Sequence, residues 1–271
     1  MEHAGRTAPT TGFVGCGRIA EAMVRGLVAA GYPPGCISAT SRTNTGPQRL
    51  AQELGINVSR SVTELAGRAE VVVLAVHPHQ VDEVAEELST ALDERQVLLS
   101  VVASRTTRSL AAVFQSTPVI RAVPNLPVAV GAGATALAAG PGAQTALGHA
   151  IRLFDRLGLV LIVDEPLLEL VSALAGAGPA VLARIAKALV TAAVQRGLEP
   201  DSARSVIAQV LAGTAGLIMD ARMSPDDVIG AVSSPGGMTE AALQAIEERG
   251  MEAALAAGLD AAIRRSLERI V

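Results

Sequence analysis

The chain has 271 residues, half of them apolar and 18% charged, with a net charge of −4 and aromatics at only 1%. That content buries a substantial core and excludes a disordered chain. Acidic and basic residues are interleaved and aromatic platforms are nearly absent, so neither nucleic acid nor a membrane surface is an expected partner.

The first ten residues, MEHAGRTAPT, lack the apolar segment of a signal peptide and read as a short disordered lead-in. The longest apolar runs, LGLVLIV and VSALAGAGPAVLA, fall short of the roughly 18 residues of a membrane span. Cys16 and Cys36 form no CxxC pair and no disulfide framework. A soluble cytoplasmic protein with reduced thiols is expected.

Strands are predicted at GFVG, CISATS, VVVLAV, QVLLSVV, PVIRAVP, ATALAAG and LGLVLIV, most of them separated by helical pattern such as AEAMVRGLVAAG and GPQRLAQELG. This alternation predicts βαβ units on a parallel sheet, hence an α/β domain over residues 1–164. After Asp164 the strand signal ends, and residues 165–271 read as helices only. Several of these are apolar nearly all round, which predicts burial against a second copy and a homodimer built through the helical domain.

The first strand runs into Gly15-Cys16-Gly17-Arg18-Ile19-Ala20, a GxGxxA turn that opens the first helix. Glycines there permit a tight turn and the close approach of a pyrophosphate to the helix N-terminus, so a dinucleotide is predicted. The second strand ends at Ser41-Arg42 instead of an acidic residue. A hydroxyl and a guanidinium suit a 2′-phosphate, which favours NADPH and leaves NADH as the weaker alternative. The run LAVHPHQV brings Ala75, Val76, His77 and Pro78 to the carboxyl edge of the sheet, beside the expected cofactor cleft. His77 and His79 have no Cys, Asp or Glu at ligand spacing, and no metal site is expected.

Ser233 to Thr239 reads SSPGGMT and leads into EAALQAIEE. The amides of Ser234, Gly236 and Gly237, the hydroxyls of Ser233 and Ser234 and the positive end of the helix form a cradle for a small carboxylate. Thr239, just inside the helix, presents a hydroxyl to a ring nitrogen. Helix capping by Ser234 and the glycines accounts for the same residues without a ligand, and both readings stand.

Taken together, GFVGCGRIAEAMVRGL, LAVHPHQV, RAVPNLPVAVGAG, LAGAGPA and PDDVIGAVSSPGGMTEAAL resemble the motifs of the pyrroline-5-carboxylate reductase family over nearly the whole chain. The resemblance implies an N-terminal Rossmann-type dinucleotide-binding domain, an all-α dimerisation domain and a ring of five dimers. It implies that Ser233, Ser234, Gly236, Gly237 and Met238 bind the substrate and that Thr239 contacts the imine nitrogen. It further implies cofactor contacts along the glycine turn, the LAVHP run and Asn125. The reaction the resemblance implies is NADPH-dependent reduction of 1-pyrroline-5-carboxylate to proline, the last step of proline biosynthesis.

The chain departs from the family's pattern at Val62, His77, Leu126, Ala177, Val181 and Lys187. A reductase of a different cyclic imine acid is therefore the alternative reading. A hydroxy- or keto-acid dehydrogenase would need a lysine general acid, and Lys187 is the one lysine in the chain. A non-catalytic NADPH sensor is a third reading.

Overall fold

Runs of β-branched and leucine residues become the strands of one sheet in the computed structural model, which describes residues 8–103 and 105–268. They are β1 (Thr11–Val14), β2 (Ile37–Thr40), β3 (Asn57–Val58), β4 (Val71–Leu74), β5 (Val97–Ser100), β6 (Val119–Val123), β7 (Gly133–Ala139) and β8 (Gly158–Ile162). The sheet order is β3-β2-β1-β4-β5-β6-β7-β8. The first six strands are parallel, β7 is antiparallel to β6, and β8 is parallel to β7. The all-parallel expectation fails at β7 for a geometric reason. The β6–β7 connection holds only a short 3₁₀ turn, Leu126–Val130, whereas a parallel return needs a crossover of a dozen or more residues.

Six helices cover the sheet: α1 (Arg18–Ala29), α2 (Thr45–Leu54), α3 (Val62–Ala66), α4 (Val81–Ser89), α5 (Thr107–Val113) and α6 (Leu147–Phe154). Alternation along each strand divides the core into two layers. Phe13, Val71, Val73 and Leu99 face α1 and α6 through Met23, Leu27, Leu153 and Phe154, while Val14, Val72, Leu74 and Leu98 face α3 to α5 through Leu65, Leu88 and Leu110. Each large side chain so buried contributes about 1.5–3 kcal/mol. Of the expected disordered lead-in over residues 1–10, residues 1–7 lie outside the described residues, and residues 9 and 10 are tied down. The Tyr32 hydroxyl donates to the Pro9 carbonyl, and Thr10 exchanges hydrogen bonds with Glu70.

Two compact units emerge from the contacts: residues 1–176 with 262–271, and residues 177–261. In this contact division residues 165–176, beyond the expected boundary at 164, stay with the sheet, and buried charge explains why. Arg121 on β6 is only 2% exposed and donates to Glu165 at 3.0 Å and to Glu169 at 2.9 Å. Thr107 adds two hydrogen bonds to Glu165, and Ser266 donates to Glu169. Burial alone would raise the Glu165 pKa, but Thr107 and Arg121 outweigh it and hold the carboxyl below its ordinary range. Short helix α7 (Leu168–Val171) and the end of the chain thus belong with the sheet.

The second unit holds α8 (Ala177–Val194), α9 (Pro200–Met219), α10 (Pro225–Val232), α11 (Met238–Glu247) and most of α12 (Met251–Leu267). Local signals start them: Glu199 caps α9 through the Ser202 amide, and Ser224 forms a reciprocal capping box with Asp227 on α10. Within one chain, α8, α10, α11 and α12 bury no residue and α9 buries only Ala203. The stretches Glu165–Val194 and Pro200–Met219 have mean hydropathies of 1.6 and 1.3 and are long and apolar enough, by length and composition only, to cross a membrane. Both are longer than any unbroken apolar run in the chain, because isolated polar residues interrupt them.

Candidate active site

The glycine turn sits where the strand order reverses between β1 and β4, the position at which open α/β sheets take ligands. Gly15 has a φ of +97°, and a Cβ there would lie 2.4 Å from the Ala75 carbonyl oxygen, so no other residue fits. Gly17 caps α1 without a side-chain hydrogen bond, and a Cβ on it would meet nothing within 4 Å. The N-terminus of α1 thus has no side-chain cap and open space beside Gly17, a cradle that fits the diphosphate of a dinucleotide.

This turn forms one wall of a cleft of about 1050 Å³. Of the expected cofactor residues, Gly15, Cys16, Gly17, Arg18, Ile19, Ser41, Arg42, Ala75, Val76 and His77 all line it. Burial, with a contribution from Glu21, pushes the Cys16 thiol up, which keeps it protonated and a poor nucleophile. His77 begins the 3₁₀ turn Pro78–Gln80, and its ring stacks on His79 with centroids 5.7 Å apart. Among the described residues no group of His, Cys, Asp and Glu could hold a metal ion.

Motif reading missed two residues at the second-strand end of the cleft. Asn44, with φ of 52°, accepts from the Ser41 amide at 2.8 Å and donates to the Ser59 carbonyl at 3.3 Å, which fixes the Ser41–Arg42 loop. Arg60 lines the same cleft. An Asn before a helical run was the available signal for the first; the two-residue β3 gave none for the second.

Pro78 and Asn125 are not among the residues lining the cleft. Asn125 is buried, accepts from the Ala134 amide at 2.8 Å and donates to the Ala175 carbonyl at 3.0 Å. Pro179 explains this second bond. It has no N–H to offer the carbonyl four residues back, and that carbonyl belongs to Ala175. The backbone relaxes into a π-helical turn over Ser172–Gly176, and Asn125 satisfies the carbonyl.

The SSPGGMT turn lies in the helical unit between α10 and α11. Gly236 has φ of +70°, Gly237 caps α11 with no side-chain hydrogen bond, and Ser233 ends α10. Two of the amides expected to face a carboxylate have internal acceptors: Gly236 donates to the Glu240 carboxylate at 2.7 Å and Gly237 to the Ser234 carbonyl at 2.9 Å. A carboxylate thus already sits on this turn, supplied by the third residue of the helix in the manner of a capping box. Thr239 is half-buried, and its hydroxyl makes no hydrogen bond among the described residues, so it is not the cap of α11. Met238 is 88% exposed. Lys187 is exposed on α8, where its carbonyl accepts from the Thr191 hydroxyl.

Fold and cleft define the first unit as a dinucleotide-binding oxidoreductase domain, and residues 10–104 match the family model described as NADP oxidoreductase coenzyme F420-dependent. Residues 165–269 match the model for pyrroline-5-carboxylate reductase dimerisation, a span that starts directly after the expected boundary at 164 and contains the helical unit, so the helical unit belongs to a homodimerisation domain. The pyrroline-5-carboxylate reductase of Arabidopsis thaliana is 32% identical over 95% of this chain and 94% of its own length. That of Pseudomonas aeruginosa is 32% identical over 97% of both. Among solved structures, the Coxiella burnetii pyrroline-5-carboxylate reductase superposes with a TM-score of 0.88, at 31% identity over 97% of this chain and 99% of that one. A Plasmodium falciparum pyrroline carboxylate reductase with NADP bound shares the fold with a TM-score of 0.85 at 21% identity, covering 98% and 99% of the two chains. The chain belongs to the pyrroline-5-carboxylate reductase family.

Proposed function

We infer that the protein reduces the C=N bond of 1-pyrroline-5-carboxylate to give proline, with NADPH as the reductant. The observation that carries this reading is the near full-length match to reductases of that name, joined to a cleft whose glycine turn and Ser41-Arg42 loop suit a phosphorylated dinucleotide. When bound, the reduced nicotinamide supplies a hydride to the imine carbon, and the protonated ring nitrogen becomes the amine. This chain's residues hold and orient. The amides of α1 and Arg18 take the diphosphate, Ser41 and Arg42 take the 2′-phosphate, and Ala75, Val76 and His77 line the route along the sheet edge. NADH lacks the 2′-phosphate and serves as the weaker reductant. Proximity of the two reacting rings supplies up to about 7–11 kcal/mol.

The substrate carboxylate is assigned to the SSPGGMT turn, from Ser233 and Ser234 to Gly236, Gly237 and Met238, and the ring nitrogen to Thr239. Gly236 already holds a carboxylate there, that of Glu240, which supports the turn's affinity for such a group. The unused Thr239 hydroxyl is free to hydrogen-bond the iminium. A reductase of another cyclic imine acid is not favoured, since relatives from plants, bacteria and archaea carry the same activity in their names. We read the apolar helices as faces of the dimer and of a pentamer of dimers in place of membrane spans, and we place the protein in the cytoplasm, consistent with two free half-buried thiols.

The test is NADPH oxidation with 1-pyrroline-5-carboxylate, 1-pyrroline-2-carboxylate and the six-membered imine acid. The first should be turned over fastest; preference for either of the others would overturn the reading. Thr239→Val should lower kcat/KM by one to two orders of magnitude, as expected for a hydrogen bond to a charged group worth about 1.5–3 kcal/mol. NADPH affinity should hold. Unchanged turnover with a lowered Tm would return Thr239 to a structural role.

A further inference from the structure

The loop after β3 carries a second guanidinium into the cofactor cleft. β3 runs parallel to β2 with Ala39 opposite Val58, so the loops leaving both strands emerge side by side at the carboxyl edge. Asn44 fastens them together, since it accepts from the Ser41 amide and donates to the Ser59 carbonyl. Ser59 is itself buried, and its amide donates to the Ala39 carbonyl at 3.0 Å. The backbone of Arg60 is thereby held next to the loop that bears Ser41 and Arg42.

Two acids on α4, Glu83 and Glu87, line the cleft and Glu64 stands four residues from Arg60, but among the described residues none of the three is ion-paired with Arg60. Its amide donates to one oxygen of Glu64 at 2.8 Å, and the other oxygen of Glu64 meets Arg68 at 3.2 Å. Glu87, which lines the cleft, accepts from the Thr63 hydroxyl at 3.3 Å. Among the described residues neither Arg42 nor Arg60 forms an ion pair, and both line the cleft together with the hydroxyl residues Ser41, Thr43 and Ser61. Two unpaired cations on one wall repel each other, and an anion between them removes that cost. A phosphate monoester carries about two negative charges near neutral pH and complements two guanidiniums better than one. The diphosphate is served elsewhere, at the α1 end of β1, two strands inward from Arg60.

We propose that Arg60 is a specificity-determining residue that grips the cofactor's 2′-phosphate opposite Arg42. The proposal rests on the NADPH reading above and adds to it a second, independent arm. Arg60→Ala keeps the amide that bonds Glu64, so α3 and its Ser61 cap should survive and Tm should be unchanged.

The experiment measures KM for NADPH and for NADH, and the inhibition constants of 2′,5′-ADP and ADP, in the full-length wild type, Arg42→Ala, Arg60→Ala and Arg60→Lys. The expected result is that Arg60→Ala weakens NADPH and 2′,5′-ADP about tenfold or more, as for loss of a charge-assisted hydrogen bond, while NADH and ADP change less than about twofold. Arg60→Lys should recover part of the loss. Equal weakening of NADPH and NADH by Arg60→Ala, or no change in either, would overturn the proposal while a selective effect of Arg42→Ala leaves the NADPH reading standing. A wild type that binds 2′,5′-ADP no better than ADP would sink the NADPH reading itself, and this proposal with it.

Discussion

The sheet unit and the helical unit are both rich in apolar side chains, yet they dispose of them differently. In the first, alternation along every strand sends successive residues into two layers, and Phe13, Leu27, Val73 and Leu98 lose all contact with water inside one chain. In the second, Val206 and Val210 remain 54% and 55% exposed, although α9, which carries both, is as regular as the helices on the sheet. Regular backbone and apolar composition do not by themselves make a core; the helical unit completes its own with a second copy, as its match to a dimerisation domain requires. The sheet unit buries its own core, whereas the helical unit, which carries the SSPGGMT turn, leaves its apolar surface for association.

That contrast can be broken most forcefully from within the sheet unit. Replacing Arg121 with Met leaves Glu165 and Glu169 without their buried cation, and removing one partner of such a network costs about 3–5 kcal/mol. Chemical denaturation of Arg121→Met should show this loss. A change below about 1 kcal/mol would mean that Thr107 and Ser266 suffice to hold the carboxylates.

A smaller effect is expected in the helical unit, of a different kind. Val210→Asp removes an exposed apolar side chain from α9, whose burial against a second copy would be worth about 1.5–3 kcal/mol per copy. Sedimentation at micromolar concentration should reveal dissociation, with loss of imine reduction. The sheet unit should keep NADPH binding. A variant that stays dimeric would place the interface on another face of α9.

The smallest effect sharpens the comparison through pH. Glu165 has its folded pKa depressed by Thr107 and Arg121. Its contribution is therefore fully present above the ordinary glutamate pKa of about 4.3 and is lost as pH falls through the lower folded value. Wild type should exceed Glu165→Gln in stability at pH 7, and the gap should narrow steadily below about pH 4.3. A gap that is constant with pH would show that the carboxylate's charge is not what stabilises the site.

Much of this was readable from residues alone. Seven strands, the glycine turn and Ser41-Arg42 follow from β-branched runs and turn chemistry, because local sterics encode them. The direction of β7 was not readable, since alternation is the same for either orientation; only the length of the 124–132 link distinguishes them. β3 escaped notice at two residues, and Arg60 escaped with it. Likewise Asn125 stands in a motif that implies cofactor contact, but its side chain bonds Ala134 and Ala175, and the second of these bonds depends on Pro179, far along the chain.

The fan of bonds around Arg121 also governs how this chain can exchange segments with its relatives. A recombinant joined at residue 164 would inherit the arginine from one parent and both glutamates from the other, so the junction is tolerated only where the parents agree at all three positions. A junction after Gly176 keeps the arginine and both carboxylates in one lineage, but Ser266 returns to Glu169 from the far end and must be carried over with them. The blocks that can be exchanged without splitting this buried network therefore follow its charges and not the order of strands and helices.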